Sequence, residues 1–189
     1  MNRLITIILC LATLPILNAP PALADTAYHS AKVIHKMSFV VDRQQKLIFL
    51  ELTNTNGMSR HEINQAMASG KKFSRYHYAT LAEVKALALD AGVPEGKITT
   101  EAELNNALQL VEWLGVTSTS CQPDIARACH MTSSGSLNDM SKIFYITVDF
   151  NAAGKPTSAT AGSEKSGFKE SSSSKLFGHF LVKNFTKIQ

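Results

Sequence analysis

The chain has 189 residues, of which 44% are hydrophobic and 18% charged, with a formal net charge of +4. That hydrophobic fraction excludes a disordered polymer, and a small, dispersed positive excess with no Lys/Arg stripe among aromatics argues against nucleic acid as a partner. The length suits one domain with a real core better than two ordinary ones.

The first 24 residues, MNRLITIILCLATLPILNAPPALA, carry one basic residue, an apolar run over 4–17 and a small-x-small ending at Ala22-Leu23-Ala24. This pattern predicts a secretory signal cleaved near Ala24, and hence a secreted or periplasmic protein. The run is short for a membrane span and is broken by Pro15 and the Pro20-Pro21 pair. Cys10 follows Leu9 rather than a small residue, which argues against lipid attachment. No later stretch is long enough to span a membrane.

Residues 25–36 read as a lead-in, and the globular domain is expected over 37–189. Within "SFVVDRQQKLIFLELT", two β-rich runs at 38–41 and 47–52 flank a polar DRQQK, which is hairpin spacing. Three helix starts follow with one signature: Ser59 with Glu62, Thr80 with Glu83, and Thr100 with Glu103. Each matches the capping box, in which a hydroxyl and a carboxylate satisfy orphan backbone N–H groups reciprocally.

The first helix sets Ile63, Ala66 and Met67 on one face and stops near Gly70, and the second places Val84, Leu87 and Ala88 together before Gly92 and Pro94. The third carries Leu104, Ala107, Leu108, Val111, Trp113 and Leu114 before Gly115. Between the first two helices, "YHY" reads as a short strand. Beyond Gly115 lies a Ser/Thr-rich stretch containing "CQPDIARAC". "SKIFYITVDF" at 141–150 is then the strongest strand pattern in the chain, with "PTSATAG" as its returning partner. Residues 162–175, rich in Ser and Lys, read as a mobile polar loop, and "KLFGHFLVKNF" at 175–185 as a last strand.

Cys121 and Cys129 are the two cysteines outside the leader. In an exported chain so close a pair predicts a disulfide, worth about 2–3 kcal/mol on the chain-entropy account. Cys129-His130 invites a zinc reading, but no second ligand pair stands at finger-like spacing. Of the six histidines, His29, His35, His61, His77, His130 and His179, none forms a His-x-x-x-His arrangement. Ser-x-x-Lys occurs at Ser69, Ser166 and Ser172, without the partner motifs of acyl-serine enzymes. Glycine-rich phosphate loops and the Gly-x-Ser-x-Gly elbow are absent from the sequence, so no cofactor is expected.

Strand runs at both ends with helices between predict a single α+β domain: an antiparallel sheet with about three short helices. Its N-terminal strand at 47–52 is expected beside the C-terminal strand at 180–182. A C-type-lectin-like arrangement, whose terminal strands pair, is an analogy without functional weight. One local basic cluster, Lys71, Lys72 and Arg75, precedes the YHY strand. It is a candidate surface for an anionic polysaccharide, weighed against a plain solvated loop.

"LIFLELTNTNGMSRHEINQAM", "YHYATLAEVKALALDAG" and "FGHFLVK" together resemble the ectodomain of exported bacterial proteins that carry a PEP-CTERM sorting tail. That family has an acidic-Leu-Thr strand, a Gly-hydrophobic-Ser helix start, a Gly-Trp-Arg-Tyr-Ala-Thr strand and a Phe-Leu-Val-basic strand. Here Tyr76 and His77 stand in place of Trp and Arg, and no Pro-Glu-Pro tail ends the sequence. The resemblance implies a location in or around the bacterial envelope and no general activity. Two functions are carried forward: an exported non-catalytic module binding an unidentified envelope or matrix component, and a periplasmic or secreted hydrolase with a loop-assembled site.

Overall fold

The computed structural model describes residues 32–121, 129–167 and 169–185, so the expected signal segment lies outside the described residues. Strands β1 (Val33–Lys36), β2 (Phe39–Asp42) and β3 (Leu47–Leu50) form a meander. The Asp42 carboxylate accepts from the backbone N–H groups of Gln44 and Gln45 and so closes the second turn. The chain continues through a 3-10 turn, Leu52–Asn54, into α1 (Arg60–Met67), β4 (His77–Tyr78) and α2 (Leu81–Asp90). Then follow β5 (Gly96–Ile98), α3 (Glu101–Leu114), β6 (Ser118–Cys121), β7 (Cys129–Ser136), β8 (Lys142–Phe150), β9 (Pro156–Lys165), β10 (Gly178–His179) and β11 (Leu181–Asn184).

The described residues form an α+β fold with three α-helices and two sheets. One sheet runs β1-β2-β3-β11-β4 and the other β10-β7-β8-β9-β5, with β6 added on β7. The terminal strands meet as expected, with Val182 opposite Phe49 and Lys183 opposite Ile48. Among the described residues all pairings are antiparallel except β10 on β7.

The last strand of the sequence reading divides in two. Phe180 is 0% exposed between β10 on one sheet and β11 on the other, and the chain crosses between sheets there. Its N–H donates to Ser136 O and its C=O accepts from Ala79 N, so the crossing leaves neither group unpaired. Gly178 permits the approach, because a Cβ there would lie 2.4 Å from Leu52 O.

Two boundaries shift. The lead-in over 25–36 contributes β1, since Val33 is buried and the run pairs along its length with β2. Residues 162–165 belong to β9 and not to the polar loop, because the alternation of β8 holds its partner in register to Lys165.

The caps behave as their chemistry requires. Ser59 and Thr80 form full reciprocal boxes with Glu62 and Glu83. Thr100 accepts from Glu103 N, while the Glu103 carboxylate bonds the Thr100 hydroxyl, not its backbone N–H. The main core lies between the two sheets and joins Phe49 and Val182 to Leu87, Leu110 and Val111 from the helices and to Phe144, Ile146 and Val148 from β8. Each such side chain contributes about 1.5–3 kcal/mol. A smaller core on the other face of the first sheet joins Leu50, Ile63, Phe73, Tyr78 and Leu181 beneath α1.

Candidate functional site

Lys71, Lys72 and Arg75 stand on the turns that lead from α1 to β4, and all three are exposed. Phe73 anchors that segment: it is 2% exposed and its N–H donates to Ala66 O. The cations between the anchor points therefore project outward from a fixed backbone. None of the three makes an ion pair among the described residues.

A fourth cation joins them from the far end of the chain. Lys183 of β11 holds its ammonium 4.7 Å from the Tyr76 ring centroid. The Tyr76 and Phe73 rings meet edge to face at 6.2 Å, and Lys72 lies 4.8 Å from the Phe73 centroid. Lys72, Phe73, Tyr76 and Lys183 thus form one continuous run of cation and ring. Alternation along the strands puts Lys183 on the same sheet face as Lys36, Val41 and Ile48. His77 faces the other way, is exposed, and lies 4.0 Å from Glu83. The only sequence signal for Lys183 was the basic residue that follows Phe-Leu-Val.

At the other end of α1 a groove opens between the β7–β8 turn and residues 166, 167 and 169–172. It is open to solvent, offers about 660 Å³ of space, and is lined by Arg60, Asn138, Asp139, Met140, Ser141 and Glu170 among others. Through Arg60 and Met140 it continues into a smaller hollow floored by Ser136 and His179. Arg60 donates to Leu137 O at 2.7 Å and Asn138 O at 2.8 Å, and its guanidinium lies 3.9 Å from the Tyr78 ring centroid. Glu170 accepts from Asn64, and its carbonyl accepts from His61 N. Hydrogen bonds from Ser141 hold the Asp139 carboxyl below its ordinary range, so it stays ionised.

Two histidine pairs sit on the outward face of the second sheet. Ser136 donates to His179 Nδ1 at 2.6 Å, while His179 Nε2 donates to Met58 O at 2.8 Å. Burial lowers the His179 pKa, which fits an imidazole that accepts at one nitrogen. His130 Nδ1 meets Asp149 at 2.6 Å, and Ser158 donates to the other oxygen of that carboxylate at 2.5 Å. This row crosses β7, β8 and β9 in register. No grouping of three or more metal-ligating His, Cys, Asp or Glu side chains exists among the described residues.

Cys121 and Cys129 face each other across β6 and β7 and form a disulfide. No helix among the described residues is long and apolar enough to cross a membrane. No protein-family profile, curated protein or solved structure matches this chain, and the C-type-lectin-like analogy has no solved neighbour in its support.

Proposed function

We propose that the chain is an exported, non-catalytic interaction module of a bacterial envelope or its surrounding matrix, and that it holds an anionic polysaccharide on the face formed by Lys71, Lys72, Arg75 and Lys183. The observation that carries this reading is the run of cation and ring from Lys72 to Lys183, on a segment pinned by Phe73 and without ion-pair partners among the described residues. Cations without ion-pair partners attract carboxylate or sulfate groups while the half-buried Tyr76 ring offers contact to the sugar between them. The leader pattern, the disulfide and the resemblance to PEP-CTERM ectodomains support the location.

Chromatography on immobilised heparin tests it. The mature chain is expected to elute at raised salt, and a Lys71/Lys72/Arg75 triple-alanine variant at markedly lower salt, because exposed charges are screened within about 10 Å at 0.1 M salt. Equal elution would reduce the cluster to a solvated loop.

The hydrolase reading draws on one observation, the 2.6 Å bond from Ser136 to His179. Against it, a carbonyl rather than a carboxylate orients the imidazole, and Ser136 is only 7% exposed. An activated serine needs a base that can carry positive charge, and Arg60 beside His179 opposes that charge. Labelling of Ser136 by a fluorophosphonate would restore this reading.

A further inference from the structure

We infer that the groove between the β7–β8 turn and residues 166, 167 and 169–172 is a second binding site, for a neutral polyhydroxylated ligand of one or two sugar rings. It is separate from the cationic face and does not depend on it. Three observations lead there.

The groove's walls come from three separate parts of the chain and are fixed to one another before any ligand arrives. Arg60 ties α1 to the β7–β8 turn through Leu137 O and Asn138 O, and Asn64 and the His61 N–H tie α1 to Glu170. Ser166 N donates to Ser141 O and closes the third side. A site assembled in advance loses little freedom on binding.

Charges of both signs line the site. Arg60 and Lys169 line the groove and the hollow beside it together with Asp139 and Glu170, and Lys142 lies 3.6 Å from Asp139, so no single sign dominates and neither a polyanion nor a polycation is selected. What remains is a mixture of donors and acceptors. Arg60 spends two of its five N–H groups on carbonyls, Glu170 spends one carboxylate oxygen on Asn64, and Asp139 stays ionised. A sugar hydroxyl both donates and accepts, and a vicinal pair can bridge a guanidinium and a carboxylate. Met140, 46% exposed on the rim, gives an apolar surface for the C–H face of a ring.

The interior beneath the groove also has an unmet group. The Tyr78 hydroxyl, on the ring under Arg60, is buried with no hydrogen-bond partner among the described residues. Such a group costs about 1–3 kcal/mol and is uncommon unless something else at the site compensates.

The test is an array of neutral and uronate-containing oligosaccharides probed with the disulfide-bonded mature chain, followed by calorimetric titration of the strongest neutral glycan. Binding of a neutral glycan is expected to persist at high salt, to survive the Lys71/Lys72/Arg75 triple-alanine substitution, and to weaken about tenfold in Glu170→Gln, the loss of a hydrogen bond to a charged group. Met140→Asp is expected to weaken it as well, and both variants should melt at the wild-type temperature, since both side chains stand at the surface. An array that yields only uronate-containing glycans, with binding lost at high salt, would leave the cationic face as the sole site and overturn this inference. So would neutral-glycan binding that both groove variants retain in full, or a groove that takes peptides and no glycan.

Discussion

Lys183 on β11 and Tyr76, just ahead of β4, meet with the ammonium 4.7 Å from the ring centroid, although 107 positions of sequence separate them. The contact makes the C-terminal strand part of the surface that residues 71–75 present. Lys183→Glu is therefore expected to lower the salt needed to elute the chain from heparin by more than Lys183→Ala does, with Lys183→Arg close to wild type. Lys36, on the same face but two strands further on from β3, should matter less. If Lys183→Glu elutes with the wild type, the far cation is not part of the binding face.

Thr80→Ala is expected to cost about 1 kcal/mol, because its hydroxyl accepts from Glu83 N while the Glu83 carboxylate accepts from the Thr80 N–H at 2.7 Å. Thr100→Ala should cost less. The Thr100 bond to Glu103 N is long, at 3.4 Å, exposed, and not returned to the backbone. Urea midpoints of the two variants check the order, and equal losses would mean that the reciprocal bond adds nothing.

The same caps explain why the helices were legible from residues alone: capping is local, and a hydroxyl three positions before a glutamate needs no tertiary contact to be recognised. The pairing of the terminal strands was legible because both runs, Leu47–Leu50 and Phe180-Leu181-Val182, are short and apolar. β7 was not. "CHMTSSGS" reads as a loop, yet its small polar residues are what the packing demands, since the Ser133 hydroxyl reaches both Val111 O and Gly115 O at the end of α3 and its one proton serves either carbonyl. Gly135 leaves room for Leu52 and Phe180, whose side-chain atoms lie 2.7 and 2.8 Å from where its Cβ would be. The site followed the same rule. Lys71, Lys72 and Arg75 are neighbours in sequence and were found, whereas Lys183 and the groove walls from Arg60, Asp139 and Glu170 become neighbours only through the fold.

Gly178→Ala is expected to be among the costliest single substitutions in the chain. Its Cβ would lie 2.4 Å from Leu52 O and 2.8 Å from Thr55 Oγ1, and the backbone oxygen cannot move without opening the 3-10 turn. Thr55 also accepts from His179 N at 2.8 Å, so relief of the clash would loosen the hollow floored by His179. A loss of roughly 1–3 kcal/mol or more follows. Gly154→Ala, at φ +74° in open space, should cost about 1 kcal/mol. Thermal melting of the two proteins ranks them, and a Gly178→Ala protein as stable as Gly154→Ala would show that β10 sits less tightly against the turn.

His179 sets an acid limit on stability. In the fold it is neutral: Nδ1 accepts from Ser136, Nε2 donates to Met58 O, and burial together with the nearby Arg60 charge lowers its pKa from the ordinary value of 6.5. The unfolded chain takes up the proton at about 6.5, whereas the folded chain resists until lower pH. Between those two points the unfolded state holds more protons, so stability falls as pH drops, by at most about 1.4 kcal/mol per pH unit, and is unaffected by this group above that range. Asp139 and Glu62, both held below ordinary carboxylate values, lose their contribution only in more acid solution. Of these three groups, the histidine is the one that acts in the mildly acid range. Urea midpoints measured from about pH 7.5 to about pH 5 are expected to decline for the wild type and to decline less for His179→Gln, whose amide can keep a hydrogen bond without titrating. Parallel declines in the two proteins would mean that His179 is not held neutral in the fold, and that the floor beneath the groove is open to water.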